Sequence, residues 1–118
     1  MVAKVDQLAQ DLNSDYTSLA EVARDQAFNT ELSILQSYTR NKWKQVGRQK
    51  VEAPTAIPDT VTKWNVTACL DVSGADVIDA SGKSVVDRTK PSRFLYAYGV
   101  VKDQSKFYVY RADMVGTC

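Results

Sequence analysis

The side chains with chemistry to offer are two cysteines, a scatter of carboxylates and a concentration of aromatics; there is no histidine. The missing histidine removes His-based triads, His-ligated metals and imidazole proton shuttles at once. Cys69 lies in a strand-like run and Cys118 is the last residue. Two readings fit this pair: unrelated thiols, one buried and one on a frayed tail, or a disulfide that staples the C-terminus to the middle of a sheet. A free thiol at an exposed terminus is an oxidation liability, which favours the bridge. It would close a loop of about 50 residues, worth roughly 4 kcal/mol in the chain-entropy treatment. It would also require oxidising surroundings: secreted, periplasmic or cell-surface.

The carboxylates suggest less. Asp71, Asp76 and Asp79 gather near Ser73, Gly74 and Ser81. Clustered carboxylates can hold calcium, but the EF-hand spacing and its bidentate glutamate are missing. Turn chemistry accounts for these residues, and no metal or other cofactor is expected. General acid–base work needs one carboxyl raised in a dry pocket. Glu21, Glu31 and Glu52 read as solvated helix face or strand edge, and Asp71, beside an apolar strand, has no visible partner. Ser81-Gly82-Lys83-Ser84 imitates the end of a phosphate loop, but Val77 stands where the earlier glycine belongs and no long helix follows, so a hairpin turn is expected. Asn65-Val66-Thr67 is formally a glycosylation sequon, which chance explains within a strand.

Trp64, Phe94, Tyr96, Tyr98, Tyr108 and Tyr110 form an aromatic concentration on the strand half. Single-strand nucleic-acid binders line a basic groove with such rings. Here the nearby bases are few, among them Lys63, Arg93, Lys106 and Arg111, and 15 Lys+Arg against 14 Asp+Glu leave a net charge of +1. No nucleic-acid partner is therefore expected. The rings are expected to pack the core and to line a concave sheet, as a pocket or partner surface.

A chain of 118 residues, 44% hydrophobic and 25% charged, is expected to fold as a single domain over 1–118. Residues 1–48 carry helical periodicity and residues 49–118 carry strands and turns. Val2, Val5, Leu8, Ala9 and Leu12 share one helical face, broken by Asn13-Ser14-Asp15. Ser18 and Glu21 match a capping box. Residues 16–46 then contain no proline or glycine, which predicts one helix, or two with a bend near Ala27–Asn29, with a stripe of Phe28, Leu32 and Leu35 and a stop at Gly47. Arg48–Thr60, carrying Pro54 and Pro58, reads as an edge strand and loop. Thr62, Trp64, Val66, Ala68, Leu70 and Val72 form the dry face of the next strand, with Cys69 on the wetter face. Ser73-Gly74 marks a bend, and Asp79–Gly82 a hairpin between Val77-Ile78 and Val85-Val86. A strand after Pro91 and another from Lys106 to Ala112 meet at an Asp103-Gln104-Ser105 turn. Helices first and hairpin-linked strands after predict an α+β fold with an antiparallel sheet.

Several segments carry a more specific resemblance. Val66–Asp79, Gly82-Lys83-Ser84-Val85, Pro91-Ser92-Arg93 and the final Val115-Gly116-Thr117-Cys118 resemble a group of small actinobacterial extracytoplasmic proteins, often lipoproteins, which actinobacterial phages also carry. Leu19-Ala20-Glu21-Val22-Ala23 and Gly47 sit as they do in that group, so the resemblance runs from about Leu19 onward. Its most specific part is Cys-x-Asp-x-Ser-Gly with a terminal Gly-Thr-Cys. The group is similar to the nuclear-transport-factor-2-like superfamily. The resemblance implies a cone-shaped α+β fold, N-terminal helices packed on a strongly curved antiparallel sheet, and pairing of Cys69 with Cys118. The first helix is shorter than usual and no lipobox cysteine precedes it, as expected of a chain trimmed behind an anchor. No catalytic residue set of the superfamily's enzymes is recognisable.

The expected function is a non-catalytic cell-envelope domain that binds a partner protein or a small apolar ligand, as monomer or homodimer, touching a membrane only through an N-terminal anchor. The alternatives are a structural part of an envelope machine, such as a conjugation apparatus or a phage superinfection-exclusion lipoprotein, and an enzyme using Asp and Tyr in the cone.

Overall fold

The computed structural model describes residues 1–11 and 13–118. Helix α1 (Val2–Ala9), a 3₁₀ helix (Tyr16–Glu21) and helix α2 (Asp25–Asn41) precede strands β1 (Lys44–Gly47), β2 (Lys50–Pro58), β3 (Lys63–Asp71), β4 (Ala75–Ile78), β5 (Arg93–Asp103) and β6 (Lys106–Thr117). This is the α+β class predicted above. The strands form two antiparallel sheets rather than one: β2-β3-β5-β6 and the small pair β1-β4.

The helical half departs from expectation in three places. On α1, Val5, Leu8 and Ala9 are buried as the periodicity predicts; Leu12 lies outside the described residues. Ser18 is not an N-cap. Asp15 caps instead, its carboxylate accepting from the Thr17 N–H at 3.1 Å and the Thr17 hydroxyl at 2.6 Å, while Ser18 donates its hydroxyl to the Asp15 carbonyl at 2.8 Å. An ionised carboxylate is the stronger acceptor, and Glu21 is drawn to Lys4 at 3.3 Å rather than back to the helix start.

The long helix is also interrupted, at Val22–Arg24 and not near Ala27–Asn29. Here the backbone leaves helical geometry to cover the edge of β6. The Val109 N–H donates to the Val22 carbonyl at 3.0 Å and the Arg24 N–H to the Val109 carbonyl at 2.9 Å. One turn later the Gln26 side chain acts as a further strand, accepting from the Ala112 N–H at 2.8 Å and donating to the Ala112 carbonyl at 3.2 Å. An edge that would otherwise template association is thus blunted.

The helix stops at Asn41, not at Gly47. Lys42 adopts a left-handed φ of 55°, and the Lys42 and Trp43 N–H groups return to the carbonyls of Thr39 and Tyr38. These two bonds form a Schellman closure. The chain then changes period: in β1, Gln45 turns inward and Val46 outward. Gly47 has a different task. Its φ is 77°, and an added Cβ would lie 2.1 Å from the Gly74 carbonyl oxygen. Glycine therefore permits β1 to close on the turn that begins β4.

In the large sheet β2 is the edge strand expected around Pro54 and Pro58. Pro54 falls in a bulge between Glu52 and Thr55, beside Ala53 at φ 48°. The ladder skips the residue that cannot donate. On β3, Val66, Ala68 and Leu70 face the helices and pair across β5 with Tyr98, Tyr96 and Phe94. Two further register shifts between β5 and β6 leave Tyr110 and Val115 unpaired. Bulges of this kind bend a strand and increase its twist. The core sits between this face and the helices, centred on Leu19, Leu35, Ala27, Ala68 and Tyr98.

The sulfurs of Cys69 and Cys118 are bonded, with Cα atoms 6.0 Å apart. Since β5 lies between β3 and β6, the bridge clamps the chain end across three strands. Cys69 lies on the face opposite Ala68 and Leu70, as alternation predicts, yet it is only 8% exposed.

Candidate functional site

The helices do not fill the space over the sheet. A cavity of about 450 Å³ opens between α1, α2, the end of β3, β4, β5 and the segment 86–92. That size suits a small organic ligand. Its apolar walls come from Val5 and Ala9 on α1, Ile34 and Leu35 on α2, Leu70 on β3 and Val77 on β4. Val5, Ala9 and Leu35 lie there because helical periodicity aims them inward, whereas Ile34 is 41% exposed.

Polar and charged side chains alternate with these apolar ones around the wall. Glu31 and Tyr38 lie two turns apart on α2, and Tyr96 and Tyr98 follow each other on one face of β5. The latter two rings stack at 5.5 Å between centroids and 14° between planes. Burial pushes the Glu31 carboxyl above its ordinary value, opposed by the positive Met1 amino group. Burial also raises the phenols of Tyr38 and Tyr96, and the Glu31 charge adds to the effect. Tyr98 is pushed up to about 12, by burial first and then by Tyr96 and Glu31. These tyrosines are therefore neutral hydroxyls at physiological pH.

A buried polar brace stands beside the cavity. Asp6, 4% exposed, accepts from Gln45 Nε2 at 2.6 Å, Gln49 Nε2 at 2.8 Å and the Gln49 backbone N–H at 3.0 Å. Gln10 Nε2 adds a bond to the Gly47 carbonyl at 2.8 Å. A buried carboxylate without a cationic partner persists only when several donors satisfy it. Here they lock α1 to β1, and Gln45 and Gln49 both line the cavity. On the far side, Arg88 pairs with Asp76 at 3.2 Å and Ser84 donates its hydroxyl to the same carboxylate at 2.7 Å. That ties the 86–92 wall to β4.

Of the aromatics singled out in the sequence, the structure brings only Tyr96 and Tyr98 to the cavity. Phe94 follows on the same strand face without lining it. Trp64 lies at the other end of the sheet, edge-on to Phe107 at 5.7 Å. Tyr108 sits beneath the Arg24 guanidinium at 3.7 Å. The Tyr110 ring covers Gly99, where an added Cβ would meet it at 2.5 Å.

Glu31, read from the sequence as a solvated helix position, is a cavity residue. Its spacing carried the signal: it stands four residues before Leu35 and seven before Tyr38, on their stripe. Asp79 and Asp71 are satisfied in turns. Asp79 accepts from the Ser81 hydroxyl at 2.6 Å and from the Lys83 N–H at 3.0 Å, which makes Ser81–Ser84 the expected hairpin turn. Asp71 accepts from the Ser73 N–H at 2.9 Å and lies 3.5 Å from Arg93, which also meets Glu52 at 2.7 Å. Hydrogen bonding from Ser73 holds the Asp71 carboxyl below the usual range. Among the described residues, no group of carboxylates and cysteines is placed to hold a metal ion.

No family model and no curated protein matches this sequence. Among solved structures, the intermembrane space region of the chloroplast protein ARC6 superposes with a TM-score of 0.68. It is 13% identical and the match covers 98% of this chain and 89% of that one. This likeness is one of fold. A de novo designed β-sheet protein matches at a TM-score of 0.40 and 12% identity, over 98% of this chain and 82% of its own, too loosely to carry weight.

Proposed function

We propose that this chain is a non-catalytic binding domain that holds a small, largely apolar ligand in the cavity between its helices and the four-stranded sheet. The observation that carries the reading is the cavity itself: about 450 Å³, with aliphatic side chains from α1, α2, β3 and β4 in its wall, interspersed with polar and charged ones. The helices close one side of the sheet, in keeping with the cone of the nuclear-transport-factor-2-like superfamily. The disulfide indicates oxidising surroundings. Together with the resemblance to extracytoplasmic lipoprotein-type domains, it supports a place outside the cytoplasm, at the cell envelope. Among the described residues no helix is long and apolar enough to cross a membrane.

A second reading, docking of a partner protein, draws on the exposed Phe107, Met114 and Val115 of β6, each more than half exposed. Native mass spectrometry of protein purified from its own source separates the two. A small bound mass that disappears in a cavity-filling Val77→Trp variant supports the first. A protein adduct lost on Phe107→Ser and Met114→Ser, and kept in Val77→Trp, supports the second.

A further inference from the structure

We infer that the ligand of this cavity carries a protonated primary amine on an apolar body, with the ammonium seated against Glu31 and the hydroxyls of Tyr38, Tyr96 and Tyr98. This rests on the ligand-binding reading above and adds the chemical class. The hydroxyl of Tyr16 is satisfied within the protein, by Thr39 at 2.7 Å. Among the described residues, the hydroxyls of Tyr38, Tyr96 and Tyr98 and the carboxyl of Glu31 have no such partner. Among the described residues, no fully buried side-chain polar atom is left without a hydrogen bond. These four groups therefore hold their bonding capacity open toward the cavity they line.

Their chemistry selects the complement. An ionised carboxylate only accepts hydrogen bonds, phenol oxygens can accept, and a primary ammonium offers three donors and no acceptor. The stacked faces of Tyr96 and Tyr98 add a negative π surface that attracts a cation. A carboxylate or phosphate headgroup would be repelled by Glu31, and an alcohol brings a single donor. The other charged groups of the wall have their own roles. Arg88 is paired with Asp76. Asp87 accepts from the Thr89 N–H at 2.9 Å and the Thr89 hydroxyl at 2.6 Å. Lys90 is exposed at the rim. The Met1 amino group also lines the cavity; burial weakens its hold on a proton, the Glu31 charge partly restores it, and a ligand ammonium would share Glu31 with it. Ile34, Leu35, Leu70, Val77 and Val86 remain to receive hydrocarbon. Burial raises the Glu31 carboxyl in the empty cavity, and a cation beside it would draw it back down.

The test is a calorimetric titration of the full chain at neutral pH with octylamine, octan-1-ol and octanoate, repeated on Glu31→Gln. Octylamine is expected to bind at least about tenfold more tightly than octanol, a difference of about 1.4 kcal/mol, and octanoate more weakly than either. Glu31→Gln should erase the amine preference, and an unchanged far-ultraviolet circular dichroism spectrum reports that the variant keeps its fold. Octanol binding with no amine preference, or a preference that survives Glu31→Gln, overturns the inference and leaves the ligand-binding reading standing. Failure of both octylamine and octanol to bind overturns both.

Discussion

Removing the Cys69–Cys118 bridge should lower the melting temperature steeply without changing the fold. The residues are 49 positions apart in sequence. Closing a loop of that length in the unfolded chain costs conformational entropy equivalent to about 4 kcal/mol at room temperature. The native state gives little of this back on reduction. Phe94 still pairs with Thr117 and Leu95 with Gly116, so β6 stays on the sheet through its backbone ladder. At about 2.1 cal/mol/K of unfolding entropy per residue, a chain of 118 residues should lose roughly 16 °C. The assay is circular dichroism melting of the oxidised protein, the protein held in reductant, and a Cys69→Ala, Cys118→Ala double variant, with thiols counted by alkylation and intact mass. The two sulfur-free or reduced forms should melt together, well below the oxidised one, with unchanged far-ultraviolet spectra at 20 °C. A drop of less than about 5 °C, with both thiols verified as free, would refute the claim that this bridge is a principal source of stability.

Four further perturbations follow from the same geometry. Gly47→Ala must place a Cβ at a left-handed φ and against the Gly74 carbonyl, so denaturant unfolding should show a loss of more than about 2 kcal/mol. Asp6→Ala strands the amide donors of Gln45 and Gln49; a loss of about 3 kcal/mol is expected, with hydrogen exchange accelerating first in α1. Gln26→Ala uncovers both backbone groups of Ala112 and should cost about 1–2 kcal/mol, read by equilibrium unfolding. Glu31 has a folded pKa above its unfolded one, so the native state holds more protons between those two values and stability falls as pH rises through that window. Glu31→Gln should therefore match wild type below the unfolded carboxylate pKa and exceed it at neutral pH in pH-resolved melts.

Strand positions were legible where side-chain alternation met a dry face. Val66, Ala68 and Leu70 against Tyr98, Tyr96 and Phe94 needed only a period of two and a helix layer to cover them. The helical half was less legible because its breaks come from long-range backbone bonds. Nothing local at Val22–Arg24 announces that Val109 will claim two hydrogen bonds there. Likewise Lys42 carries no glycine signal, yet it takes the left-handed position that ends α2. Local sequence sets propensity, and tertiary contacts override it.

The site divides in the same way. Tyr96 and Tyr98 were visible as alternating aromatics, and they do share the cavity. Trp64 satisfied the same pattern but lies at the far end of β3, opposite Val100, and Tyr108 and Tyr110 lie on β6 around the register shift between Gly99 and Val100. Glu31 and Asp6 interrupt apolar helical stripes, which marks a polar residue aimed inward. In Asp6 the interruption is structural, closed by glutamine amides. In Glu31 it is open to the cavity, and only the three-dimensional arrangement distinguishes the two.

The central claim is that the space between α2, β4 and β5 receives a small apolar ligand. Carbon-13 methyl spectra of the protein, titrated with octan-1-ol, test it most directly. Saturable shifts are expected for Ile34, Leu35, Leu70 and Val77, which line that space, with the exposed Ile57 and Val61, outside that lining, unmoved. Shifts confined to Met114 and Val115, or no saturable shift at the four cavity methyl residues, would contradict it.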